Sequence, residues 1–144
     1  MTSARSRAAV APRPTILIVE DDEGLREVMA HLVESLGYEA LCAGDAAEAL
    51  ALFERQGGAV DLLLADVVMP GMDGTELASR LLERRPSLKV VYVSGHPDAL
   101  ARRGLATESV LLKPFTSAAL AARLHERLDP AARPAADGTG VPAV

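Results

Sequence analysis

The chain has 144 residues, 49% apolar and 24% charged, which allows one folded domain and argues against wholesale disorder. Twenty Asp and Glu against fifteen Lys and Arg leave a charge of −5, excluding a broad nucleic-acid surface, and the single cysteine excludes an intrachain disulfide or a cysteine cluster for zinc. No apolar run approaches the ~20 residues of a membrane span, and no signal-like segment follows the basic start, so a soluble, cytoplasmic domain is expected.

Residues 1–13 are small, basic and proline-punctuated and read as a disordered lead-in; residues 129–144, rich in Ala, Pro and Gly, read as a disordered tail. Between them, Thr15–Val19 is a continuous apolar, β-branched run of the kind buried on both faces of a sheet. Leu25, Val28, Leu32, Val33 and Leu36 follow at helical spacing, and Gly37 stops that helix. Tyr38–Cys42 is a second strand candidate. Asp45 can cap a helix carrying Ala46, Ala49, Leu50 and Phe53, which ends near Gly57. Val60–Ala65 is a third strand-type run. After the Pro70-Gly71 turn a helix carries Leu77, Leu81 and Leu82. Lys89–Val93 is the fourth strand, and Pro97–Arg103 a short helix closed by Gly104. Val110–Leu112 is the fifth strand, and Thr116 caps a last helix with Leu120, Leu124 and Leu128 on one face. Five strands alternating with five helices predict an α/β fold, a doubly wound parallel sheet with helices on both faces. In such sheets the functional crevice lies at the carboxyl ends of the strands.

Those ends carry a distinctive set of groups. Strand one runs into Glu20, Asp21, Asp22 and Glu23; strand three ends at Asp66, strand four at Ser94, strand five at Lys113. Crowded carboxylates repel unless something positive sits among them, and a hard divalent cation such as magnesium suits one or two carboxylates plus phosphate oxygens. A lysine and a serine hydroxyl can meet a phosphoryl group, and a carboxylate can serve as nucleophile. The residues therefore suggest metal-assisted phosphoryl transfer onto Asp66. Asp22 and Glu23 suit helix capping better than chemistry.

The stretches Ile16-Leu-Ile-Val-Glu-Asp-Asp-Glu-Gly-Leu-Arg26, Asp61-Leu-Leu-Leu-Ala-Asp-Val-Val-Met-Pro-Gly-Met-Asp-Gly74, Val90-Val-Tyr-Val-Ser-Gly95 and Leu111-Leu-Lys-Pro-Phe115 closely resemble the receiver domain of two-component response regulators, across residues 14–128. The resemblance implies a flavodoxin-like sheet of strand order 2-1-3-4-5. It implies Asp66 as phosphoacceptor, with magnesium bound by Asp21, Asp66 and the Val68 backbone carbonyl, and by Glu20 through water. It further implies phosphoryl contacts from the Ser94 hydroxyl, the Gly95 backbone amide and Lys113, and a cis bond before Pro114. One position departs from the pattern: Val110 stands where many receivers carry a switching aromatic residue, and Tyr92 does not occupy the matching position.

The implied donor is a sensor histidine kinase or a histidine phosphotransfer protein, and the chain catalyses only its own phosphorylation and dephosphorylation. Val68 has no side-chain group to orient a hydrolytic water, which predicts slow self-hydrolysis; the neighbouring His96 would act the other way. With about sixteen residues after Leu128, the expected output is contact with a downstream protein, by a monomer or weak dimer, without nucleic acid or membrane. The alternatives are an unphosphorylated interaction module of the same fold and a receiver segment of a hybrid histidine kinase. A helical phosphotransfer module using His31 conflicts with the five strands. A serine hydrolase lacks its elbow around Ser94, and a dehalogenase-type phosphatase lacks the second Asp, which is Val68 here.

Overall fold

The computed structural model describes residues 13–104 and 110–128. The expected lead-in and tail fall outside the described residues, as do residues 105–109, except at Arg13, whose guanidinium pairs with Glu39 at 3.0 Å. The apolar runs form β1 (Thr15–Val19), β2 (Glu39–Ala43), β3 (Leu62–Asp66), β4 (Lys89–Ser94) and β5 (Val110–Leu112). The periodic segments form α1 (Glu23–Ser35), α2 (Ala46–Arg55), α3 (Gly74–Arg84), α4 (Pro97–Arg102) and α5 (Ser117–Leu128). All pairings are parallel, as the apolar runs predict, and the order is β2-β1-β3-β4-β5, as the family resemblance implies.

Both faces of the sheet are covered, which is why the strands read as unbroken apolar runs. Leu17, Val19, Leu63 and Ala65 pack with Phe53 of α2 and Leu77 and Leu81 of α3. Ile16, Ile18, Leu62 and Leu64 face the other way, against Met29 and Val33 of α1 and Leu120 and Leu124 of α5. A third, smaller cluster joins Val67, Leu100 of α4 and Val110.

Caps set where several helices begin. The carboxylates of Asp22 and Asp45 accept the amides of Leu25 and Glu48 at 3.1 and 2.8 Å, and the Thr116 hydroxyl accepts that of Ala119 at 3.0 Å. Boundaries differ from the sequence reading where turns claim backbone groups. Tyr38 donates to Val33 in the αL turn at Gly37, so β2 starts one residue later than expected. Val60 donates to Gly58, so β3 starts at Leu62 and carries Asp66 inside its last position. No helix among the described residues is long and apolar enough to cross a membrane.

Candidate functional site

Parallel strands all exit at one edge, so the residues after β1, β3 and β5 meet there. Glu20 follows β1 directly and is 1% exposed. Its amide donates to Ala43 at 3.1 Å, and its Oε2 accepts the Asp22 amide at 3.1 Å. Asp66 is 5% exposed, and its Oδ1 accepts the Val68 amide at 3.1 Å. Lys113 is held by its own amide, which donates to the Ser94 carbonyl at 2.8 Å. Its ammonium reaches across the strand ends, donating to Asp66 Oδ2 at 2.7 Å and Glu20 Oε1 at 3.0 Å. The Lys113–Pro114 bond is cis.

Asp21 joins the same cleft from an exposed position. Carboxylate oxygens of Glu20, Asp21 and Asp66 all lie within 4.8 Å of one another. The cleft holds about 520 Å³, and Val68, Met69, Pro70 and His96 complete its walls. Burial pushes the Glu20 carboxyl above its usual range, against the pull of the Asp22 amide and of Lys113. Burial alone would lower the Lys113 ammonium; the hydrogen bonds to Asp66 and Glu20 more than offset that and hold it above its ordinary value. One ammonium for three carboxylates leaves an excess of negative charge, and an all-oxygen donor set fits a hard divalent cation such as Mg2+.

The sequence-predicted residues do not all converge equally. Glu20, Asp21, Asp66, Val68 and Lys113 line the cleft. Ser94 and Gly95 stand beside it: Ser94 is fully buried with its Oγ accepting the His96 amide at 3.0 Å, and Gly95 lies against the Lys113 side chain. Asp22 caps α1, as its position suggests.

The sequence reading left Asp73, Gly74 and Arg103 unassigned. Asp73 caps α3 through Oδ1, which accepts the Thr75 and Glu76 amides at 3.1 and 3.0 Å. Its Oδ2 accepts from Arg103 Nε at 2.7 Å. A Cβ on Gly74 would overlap the Asp66 carbonyl oxygen, so only glycine lets α3 begin against the end of β3. The spacing Asp73-Gly-Thr-Glu76 ahead of Leu77 was a legible capping signal.

A second, apolar groove of about 700 Å³ opens between α1 and the start of α5, among Leu25, Val28, Leu32 and Phe115. Lys113 lines both this groove and the acidic cleft. Val28 is 61% exposed there.

A doubly wound parallel sheet whose strand ends carry an acidic cleft bridged by one lysine defines an α/β class with a candidate site for a divalent cation at the carboxyl ends of its strands. The model of the response regulator receiver domain family matches residues 16–125. Response regulator receiver protein CpdR of Brucella abortus is 39% identical over 107 residues, covering 69% of this chain and 84% of that protein. Sensor kinase CckA of Brucella abortus is 36% identical over 118 residues, covering 80% of this chain but only 12% of the kinase. The crystal structure of a CheY-like receiver domain protein from Methanospirillum hungatei JF-1 superposes with a TM-score of 0.73 at 29% identity, covering 85% of this chain and 98% of that one. The chain belongs to the response regulator receiver domain family and is a receiver domain of two-component signalling.

Proposed function

We propose that this chain accepts a phosphoryl group on Asp66 in a Mg2+-dependent reaction, from a sensor histidine kinase or histidine phosphotransfer protein, and signals by protein contact. The observation that carries this reading is the convergence of Glu20, Asp21 and Asp66 on one cleft with the Lys113 ammonium between two of them.

The step is an in-line displacement. An Asp66 carboxylate oxygen bonds to phosphorus as the phosphorus–nitrogen bond to the donor imidazole breaks, and the imidazole keeps the electron pair and takes a proton. Bound Mg2+ supplies positive charge to the phosphoryl oxygens. Lys113 supplies a second positive charge from a fixed position, and the Val68 amide holds Asp66 in orientation. Such a reaction depends on positioning and electrostatics more than on covalent chemistry by the protein. Glu20 and Asp21 are the residues that would hold the cation beside Asp66, with Val68 contributing through its backbone carbonyl. Ser94 and the Gly95 amide, beside the cleft, are the further phosphoryl contacts in this reading.

A protein donor is supported by the apolar groove, which continues from Lys113 away from the cleft. A partner presenting a phosphorylated imidazole at Asp66 covers that groove with its own apolar face. The test is incorporation of acid-stable, base-labile phosphate from acetyl phosphate. Labelling should require Mg2+ and vanish in Asp66→Ala. Labelling retained in that variant, or absent from the parent, overturns the assignment and leaves the unphosphorylated interaction module.

A further inference from the structure

Helix α4 is only six residues long and is tied at both ends, to Ser94 beside the cleft and to Asp73 at the start of α3. At its start the His96 amide donates to the Ser94 hydroxyl at 3.0 Å, and the His96 carbonyl accepts the Leu100 amide at 3.3 Å. In its middle, Leu100 is fully buried against Val67 and Val110. Just past its end, Arg103 Nε meets Asp73 Oδ2 at 2.7 Å, across 30 residues of sequence. Neither partner of that pair is freely solvated, with side chains 28% and 23% exposed.

Asp73 is well placed to carry motion to the phosphoacceptor. Gly74, next in the chain, donates its amide to the Val67 carbonyl at 2.9 Å and packs directly on the Asp66 backbone. The Val68 amide in the same loop holds Asp66 Oδ1. A shift of this loop therefore moves both Asp66 and Asp73. Tyr92 fills the space between the elements: it pairs in register with Val110, packs on the Val67–Leu100 cluster, and has its phenol pushed up by burial and by the charge of Asp73. The aromatic group of this region thus comes from β4 and lies opposite Val110.

We infer that Arg103 is a positioning residue: through Asp73 it straps the carboxyl end of α4 to the loop behind Asp66, so that this end, specifically, responds to occupancy of Asp66. This rests on Asp66 being the phosphoacceptor. The strap acts at the carboxyl end of α4, while the Ser94–His96 bond acts at the amino end, so the two ends respond separately to loss of either tie.

Amide hydrogen exchange on the full chain, with and without beryllofluoride and Mg2+ as the phosphoryl mimic, tests this. In the parent, the mimic slows exchange at Val68 and Gly74, which report binding. It also slows exchange at Leu100 and Gly104, by about fivefold or more at Gly104. In Arg103→Gln, and in Asp73→Asn, which keeps a competent cap, Val68, Gly74 and Leu100 still respond and the response at Gly104 drops below about twofold. A helix merely loosened by the substitutions would exchange faster at both ends and still respond to the mimic. A response at Gly104 that survives in both variants, or is absent from the parent while Val68 and Gly74 respond, overturns the strap and leaves the phosphoacceptor reading intact. No response at Val68 and Gly74 in the parent overturns the phosphoacceptor reading itself, and the strap with it.

Discussion

Carboxylates sit at both ends of the strands of the same sheet, and they are balanced in opposite ways. At the amino-terminal edge, Asp61 accepts the Thr15 amide at 2.8 Å and Arg85 Nη2 at 3.3 Å, while Arg85 Nη1 reaches the Gly58 carbonyl at 3.1 Å. One carboxylate meets one guanidinium there, and backbone groups take most of what remains, with only the buried Arg85 Nε left without a partner among the described residues; the pair ties β1, the start of β3 and the end of α3 together. At the carboxyl-terminal edge, three carboxylates share one ammonium, and the most buried of them, Glu20, has its carboxyl pushed up by that burial. Charge left uncompensated at a cost to stability is what separates a binding site from a structural tie.

Removing the one cation from the unbalanced edge should have the largest effect. Lys113→Met is expected to slow Mg2+-dependent labelling by about a hundredfold, the scale on which one fixed electrostatic contact acts. Glu20 then loses its charged partner, and unfolding in EDTA should show a loss of roughly 1–3 kcal/mol. Part of that loss should return when Mg2+ is added, because a ligand of the folded state stabilises it by mass action. Labelling at the parent rate would mean that Lys113 serves only the fold.

A matched pair of variants then separates the two edges. Asp21→Asn should weaken Mg2+ binding, read by calorimetry, by about tenfold or more while leaving unfolding in EDTA within about 0.5 kcal/mol of the parent. Asp61→Asn should do the reverse, losing roughly 1–2 kcal/mol of stability with Mg2+ affinity unchanged. If both variants lose stability and neither loses affinity, the acidic cleft is not a cation site.

The sequence carried the acidic half of this contrast, because Glu20, Asp66 and Lys113 sit at fixed distances from strand ends. The apolar runs set strand number and parallel pairing, and parallel pairing brings Glu20, Asp66 and Lys113 to one edge without any knowledge of side-chain geometry. Asp22, Asp45 and Thr116 were legible as caps because a cap is local: residue type and the next three positions decide it. The pairs Arg103–Asp73 and Arg85–Asp61 were not legible, since each spans more than 20 residues and depends on where a helix happens to end. The burial of Ser94 behind the cleft was hidden for a similar reason. Its position after β4 was clear, but the direction of its hydroxyl follows from the turn that brings the His96 amide back onto it.

Asp73 is the intermediate case: it stands near the acidic edge yet is balanced like Asp61, by one guanidinium and by backbone amides. Burial alone would raise its carboxyl; the bonds from Arg103, the Thr75 hydroxyl and the Glu76 amide outweigh that and hold it below its ordinary value. A carboxyl depressed in the folded state contributes stability that is fully present above its unfolded value and disappears as the pH falls through the folded one. Asp73→Asn keeps the cap and removes the titrating group. The parent should therefore lose more stability than the variant as the pH drops below about 4, with a difference near 0.5 kcal/mol, since the pair is only partly buried. Urea unfolding of both proteins across that range measures it. Parallel curves would show that the Arg103 contact lends Asp73 no charge-dependent stability, and that this carboxylate belongs with the uncompensated edge rather than the balanced one.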